Sequence, residues 1–496
     1  MLKKLIFITS IFLLTITNGS SKPYFNFSPS AQKAYQFAIS LRFKEARTEL
    51  NLLKQKEPEN LITLFISDYI DFFTIFINEN KDEFKQLSPN KDFRLNQLQK
   101  SNLKSSPYFR YCQAEILLHW ALTRLKFEEY YTAFTEVKKA HALLKENEKL
   151  FPDFIANKKS LGILHAIVGT IPDSYKWGVT LVSGIDGDIA LGKKEIESVI
   201  NYSAKNEFIF YDETIVMYAL LLLHLENQGD DAWNIVKNSK LSPKSNPLSC
   251  FVLANLAMHT SKNDEAIEIL SNRPTGNQYH PFWYLDFMLG NCKLYRLDND
   301  AEIYLLRYIK NFKGLNYIKE AYQKLAWHAL LNGKSVNYQS YMKLCTLRGN
   351  KQIEGDKKAY NEAITKQVPE INLLKARLLF DGGYYKRSLS TIENKSIESF
   401  KTKKFQLEYM YRKGRIYHKL RQDANAIECY QYTINNGKTE KYYFACNAAL
   451  QMGILYEQQK KNDLAKSYFT QCLNIEPEEY ANGLHQQAKA GLNRLK

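Results

Sequence analysis

One spacing constrains this chain more than any other feature. Gly414, Tyr417, Ala426 and Tyr430 return at the same intervals as Gly453, Tyr456, Ala465 and Phe469, and the second copy ends in Pro477. Residues three or four apart share a face of a helix. The pattern therefore reads as two helices per copy, each with one small and one aromatic position on its inner face. The small residue lets the neighbouring helix approach, and the aromatic fills the space beside it. A single helix pair cannot bury its apolar faces alone, so such pairs have to stack. The segment Asn435-Asn436-Gly437-Lys438 lengthens the interval between the copies and is expected to form an extra turn there.

This spacing resembles the tetratricopeptide repeat, a helix–turn–helix unit of about 34 residues. The resemblance implies an all-α, right-handed α–α superhelix whose first helices line a concave groove. It also implies a protein or peptide partner rather than a reaction. In such repeats one groove-facing position follows the small residue of the first helix. That row is Asn291, Trp327, Arg377, Arg415 and Ile454, and the same face adds Tyr411, His418, Lys419, Asn447 and Leu450. The partner-binding candidates are Trp327, Arg377, Tyr411, Arg415, His418, Lys419 and Asn447. Arginine with aromatic and amide neighbours can clasp the carboxylate of an extended peptide. The family's clamp for C-terminal carboxylates has lysine where this chain has Tyr411.

Weaker copies extend the pattern through the chain. Ala34, Phe37, Ala46, Leu50 and Pro58 fit one unit near the start. Leu220, Leu223, Ala232 and Val236 fit another, followed by Ala254, Ala257, Ala266 and Leu270. Gly290 opens a unit in which Ala301 sits one residue off the interval, and Ala326, Ala329, Tyr338 and Met342 make a degenerate copy. Ala376, Leu379, Ser388 and Ile392 form the next, with Asp381-Gly382-Gly383 as its turn. Between these, 60–76 is an apolar helix and 108–145 two amphipathic helices, while 78–106 is polar and expected to contain a loop. The charged stretch 348–367 is an extra helix or a hinge.

Two segments stand apart. Lys3 and Lys4 precede an apolar run from Leu5 to Ile16 and the small residues Asn18-Gly19-Ser20-Ser21. This is the pattern of a signal peptide over 1–21, too short to span a bilayer, and it predicts an exported protein in the periplasm, cell envelope or medium. The second segment, from Gly162 to Gly192, holds six glycines, Pro172 and Trp177 among apolar residues. It reads either as a tight helix crossing within the solenoid or as an insertion that touches membrane or ligand. The expected organisation is a signal peptide 1–21, a helical region 22–160, a glycine-rich irregular block 161–205, a solenoid 206–479 and a capping helix 480–496. Stretches 161–191 and 284–345 are also similar to a eukaryotic tetratricopeptide family linked to the mitochondrial outer membrane and inclusion-body clearance. That likeness implies the same fold and carries no catalytic residue.

Chemistry is not legible in the sequence. No phosphate-binding loop, nucleophile elbow, zinc-protease helix or dinucleotide fingerprint is present, so no enzyme activity, cofactor or metal is expected. The seven cysteines, Cys112, Cys250, Cys292, Cys345, Cys429, Cys446 and Cys472, form no CxxC pair and read as small core residues rather than a disulfide framework. The formal charge is +16, but the lysines are scattered and often lie beside acids. They read as solvated helix faces, and no nucleic-acid partner is expected. Two functions follow: a scaffold that binds a protein or peptide in its groove, or a peripheral membrane module using the basic surface and the Gly162–Gly192 block.

Overall fold

A computed structural model describes residues 22–168, 185 and 187–495. The expected signal peptide and the middle of the glycine-rich block (169–184 and Asp186) lie outside the described residues. Within them the chain is all-α, with 24 α-helices, one short 3-10 helix and no strand beyond a single bridge between Tyr24 and Asn60. The helices pack in sequential pairs, from Pro29–Ile39 with Phe43–Lys56 to Phe444–Gln458 with Asn462–Leu473. Glu354–Thr365 is an extra helix inside the series and Ala481–Arg494 covers its end.

The repeated glycines do what the spacing requires. A Cβ on Gly414 would lie 2.8 Å from the Tyr430 ring, and one on Gly453 would lie 2.5 Å from the Phe469 ring. Both rings are fully buried, and each occupies the space its glycine leaves. Gly290 serves Leu305 in the same way, at 2.7 Å.

The structure also reveals a repeat that the sequence hides. In eight pairs the residue two places before the second helix is left-handed: Leu41, Glu128, Asn227, Ser261, Gly333, Gly383, Arg421 and Lys460. The next residue's N–H then reaches back to a carbonyl of the first helix, as in Lys262 to Ala257, Lys334 to Ala329, Tyr384 to Leu379, Gln422 to Tyr417 and Lys461 to Tyr456. This is the 6→1 bond that closes a helix and turns the chain. Arg42 makes the same bond to Phe37. The one register error among the copies is the Leu220–Leu223 unit, where Gln228 bonds to Leu222 and Ala219 is the buried small residue.

One expectation is narrowed and two change. The polar stretch 78–106 keeps its expected loop at 102–106 and is otherwise mostly the helix Lys81–Ser101, capped by Asn80, whose side chain accepts from the N–H groups of Asp82 and Glu83. Two of its charged residues are inside: Arg94 Nη1 donates to Asp68 at 3.1 Å and Lys91 to Glu136 at 2.6 Å. Asn435, Asn436 and Gly437 do not leave the helix but add a last turn to Asp423–Gly437, with Gly437 against Leu407 and Ala445. The ends of the glycine-rich block are helical rather than irregular, and Gly162 and Gly192 face each other where Ala156–Val168 crosses Ile189–Ser203.

The superhelical path brings distant pairs back into contact. The His280 N–H donates to the Leu41 carbonyl at 2.7 Å, its ring Nε2 meets Asn78 Oδ1 at 3.0 Å, and the Asn316 N–H donates to Glu79 at 3.0 Å. Burial, helped by Arg47, pulls His280 from its ordinary 6.5 down to about 4. The folded value is the lower one, so the contact's contribution is present above pH 6.5 and is lost as pH falls towards about 4. Acidification across this window should lower the protection of the Arg42 and Glu79 amides in the wild type, measured as exchange corrected for its own dependence on pH. In His280→Gln the added sensitivity should vanish; equal acid response in both proteins would refute the assignment.

Candidate functional site

The helices Ile371–Asp381, Lys403–Lys419 and Phe444–Gln458 are the first helices of three successive pairs. Their facing sides, with Lys358 from the extra helix and Tyr480 and Leu484 from the C-terminal end, enclose a cavity of about 290 Å³. Arg377, Arg412, Arg415 and Lys358 line it, and Asp381 is the only carboxylate among the lining residues.

Each cation is held by an aromatic or a hydrogen bond. Arg415 Nη1 donates to the Tyr411 hydroxyl at 2.8 Å, and Asn447 Nδ2 donates to the same oxygen at 2.8 Å. The Arg415 guanidinium lies 4.9 Å from the centre of the Phe380 ring. That of Arg377 lies 4.7 Å from Trp327, and Arg377 Nε is 3.9 Å from Asp381. Lys358 sits 4.1 Å over Tyr480, whose ring packs on Tyr443 at 4.6 Å. Arg412 is paired with Glu408, one helical turn back. Cation–π contact on this scale fixes a guanidinium without neutralising it. Burial opposes the charge of Arg377, but Tyr443 and Asp381 hold its pKa above the ordinary value; Arg415 behaves alike, with Tyr411 beside it. The site is thus a preorganised, electropositive cavity with amide and phenol groups at hand, suited to an anionic group on an extended chain.

Of the seven sequence candidates, Arg377, Tyr411, Arg415 and Asn447 meet at this cavity. Trp327 does not face a partner: it is 1% exposed and its indole N–H donates to Glu362 at 2.7 Å. The extra helix Glu354–Thr365 covers the groove position that the repeat pattern assigns to it, and Trp327 becomes the base on which Arg377 rests. His418 and Lys419 lie outside the cavity lining. His418 approaches the Tyr430 hydroxyl at 3.4 Å, and Lys419 is exposed in the last turn of its helix.

Sequence reasoning missed Lys358, Arg412, Tyr443 and Tyr480. Arg412 was within reach, since it stands three residues before Arg415 and so shares its helix face. Lys358 and Tyr480 lie in segments outside any repeat and gave no signal.

A second cavity, of about 330 Å³, lies in the N-terminal half between Phe43–Lys56, Ile62–Asn78 and Lys81–Ser101. Its Arg94 is tied to Asp68 and Asp71, which leaves Arg47 and Lys54 as its unpaired cations. Among the described residues no group of three or more His, Cys, Asp or Glu is placed to hold a metal, and no helix is long and apolar enough to cross a membrane.

The tetratricopeptide-repeat family model matches residues 407–431 and 447–479, which carry Tyr411, Arg412, Arg415, Ile416 and Asn447 of the cavity's wall. The crystal structure of the APC/C hetero-tetramer Cut9–Hcn1 is similar at 12% identity, over 94% of this chain and 99% of that one, with a TM-score of 0.22. So loose a superposition carries no argument, and the fold rests on the helices described above. No curated protein matches this chain in sequence.

Proposed function

Since the chain carries tetratricopeptide repeats, we propose that it is a non-catalytic, exported scaffold that holds a protein partner by an acidic, extended segment in its C-terminal groove. The observation that supports this most is Arg415, which lines the cavity between three consecutive first helices without a carboxylate partner among the described residues, close to Arg377, whose carboxylate neighbour Asp381 stands 3.9 Å away. Here Arg415 is fixed by phenol and ring contacts alone, and its hydrogen bond to Tyr411 leaves further guanidinium N–H groups for a ligand. Export follows from the N-terminal sequence, and the mature chain should begin near Ser21 or Lys22.

The test is a fluorescence-polarisation screen of the purified mature protein against extended peptides that differ in charge and in a free or amidated C-terminus. Acidic peptides should bind and basic ones should not. Arg377→Gln and Arg415→Gln keep the packed stem and remove the charge. Each should weaken binding by about tenfold or more at low salt, with a smaller loss at high salt, as for a charge contact partly screened by ions. Equal binding of acidic and basic peptides would refute this reading, as would unchanged affinity in both variants.

A further inference from the structure

Cys446 and Cys472 lie on the two helices of the last pair, Phe444–Gln458 and Asn462–Leu473, both fully buried. Their Sγ atoms are 3.6 Å apart. Among the described residues no other two cysteines come within such range; Cys112, Cys250, Cys292, Cys345 and Cys429 are each buried apart. The sequence gives no reason to link them, since 26 positions separate them without a recognisable motif.

We propose that Cys446 and Cys472 are a thiol pair that oxidises to a disulfide and so braces the wall of the ligand cavity. Closing from 3.6 Å to the ~2.0 Å of a disulfide asks for side-chain rotation and a small backbone shift. The pair is chemically uneven: the Cys472 thiol beside it and His485 hold Cys446 below the usual thiol range, while Cys446 pushes Cys472 up. Attack can begin at either thiol and ends in the same bond. When it begins at Cys446, that thiolate attacks one sulfur of a small-molecule disulfide such as oxidised glutathione and releases one glutathione thiol. Cys472, losing its proton, then attacks the mixed disulfide at Cys446 and releases the second. Two protein thiols and one glutathione disulfide become one protein disulfide and two glutathione thiols. Access comes through local opening, which is easiest at the end of a repeat array.

Position gives the bond a consequence. Tyr443, just before the helix of Cys446, and Asn447, within it, both line the cavity. Cys472 precedes the connector to Tyr480 and Leu484, which also line it, and the Leu484 carbonyl lies 3.9 Å from Cys472 Sγ. A covalent link between these helices would hold the cavity's wall together without touching a ligand.

The full-length mature protein, equilibrated with oxidised and reduced glutathione at a series of ratios, is unfolded, alkylated and mapped by mass spectrometry without reduction. The expected result is one cross-linked peptide joining Cys446 to Cys472, with the other five cysteines alkylated, and none in C446S or C472S. Hydrogen exchange over 444–494 should slow several-fold on oxidation in the wild type alone. Full alkylation of both thiols at the most oxidising ratio would overturn the proposal, and so would a cross-link to any other cysteine. A cross-link that leaves exchange unchanged would overturn the bracing. The readouts need no peptide ligand, so they stand or fall apart from the groove's function.

Discussion

Lys159→Met should cost about 3–5 kcal/mol at neutral pH, the usual result of removing one partner from a buried charge cluster. Lys159 is fully buried, and its Nζ donates to Glu115 at 2.7 Å and to Glu213 at 2.8 Å. Ser160 Oγ donates to the other oxygen of Glu115, and the Tyr35 hydroxyl to the other oxygen of Glu213. The cluster joins four helices: Pro29–Ile39, Pro107–Lys126, Ala156–Val168 and Tyr211–His224. Burial works against the Lys159 charge, but the two carboxylates outweigh it and hold the ammonium's pKa above the ordinary value. Burial likewise works against the Glu213 carboxylate, and Lys159 brings it below its usual range. Methionine fills the space and leaves two carboxylates buried without a cation. Their protonation should then relieve the variant, so its deficit against wild type should shrink as pH falls through the carboxylate range. Denaturant unfolding of both proteins across pH measures this. A deficit under about 1 kcal/mol would show the cluster to be far better hydrated than its burial implies.

That cluster marks where the sequence stops being legible. Gly414 and Gly453 could be read because packing permits few residues against Tyr430 and Phe469, so chemistry and position coincide. The shared turn could not be read, since Leu41, Glu128, Arg421 and Lys460 hold a left-handed conformation that sequence alone assigns to glycine or asparagine. Charges misled in the same way. Arg94 and Lys91 look like surface residues, yet Asp68, Asp71 and Glu136 take them inside, so the sequence shows a polar stretch with a loop and hides the long helix before that loop. At the site, one helix face was enough to bring Arg377, Arg415, Tyr411 and Asn447 together. Trp327 failed because the extra helix, an irregularity in the series, brings Glu362 onto its indole.

Gly192→Ala should be among the most damaging single-methyl changes in the chain. An added Cβ there would lie 2.3 Å from the Gly162 carbonyl oxygen and 2.8 Å from the Ala166 nitrogen. Both are backbone atoms of the opposing helix, so no side chain can turn aside, and relief requires the two helices to part. Gly162 is placed alike, with a Cβ 2.8 Å from the Gly192 carbonyl oxygen. Gly453→Ala meets the Phe469 ring at 2.5 Å, a contact that ring rotation can ease in part. Gly483, in the helix Ala481–Arg494, has no atom within 4 Å of its added Cβ. Replacing glycine by alanine inside a helix is worth up to about 1 kcal/mol in its own right, and overpacking costs about 1–3 kcal/mol, more when backbone must move. The expected order is therefore a gain of up to about 1 kcal/mol for Gly483→Ala, a loss of about 1–2 for Gly453→Ala, and a loss of about 3 or more for Gly192→Ala. Denaturant midpoints of the three variants test it. Gly192→Ala as stable as wild type would mean that the Ala156–Val168 and Ile189–Ser203 helices do not cross at their glycines.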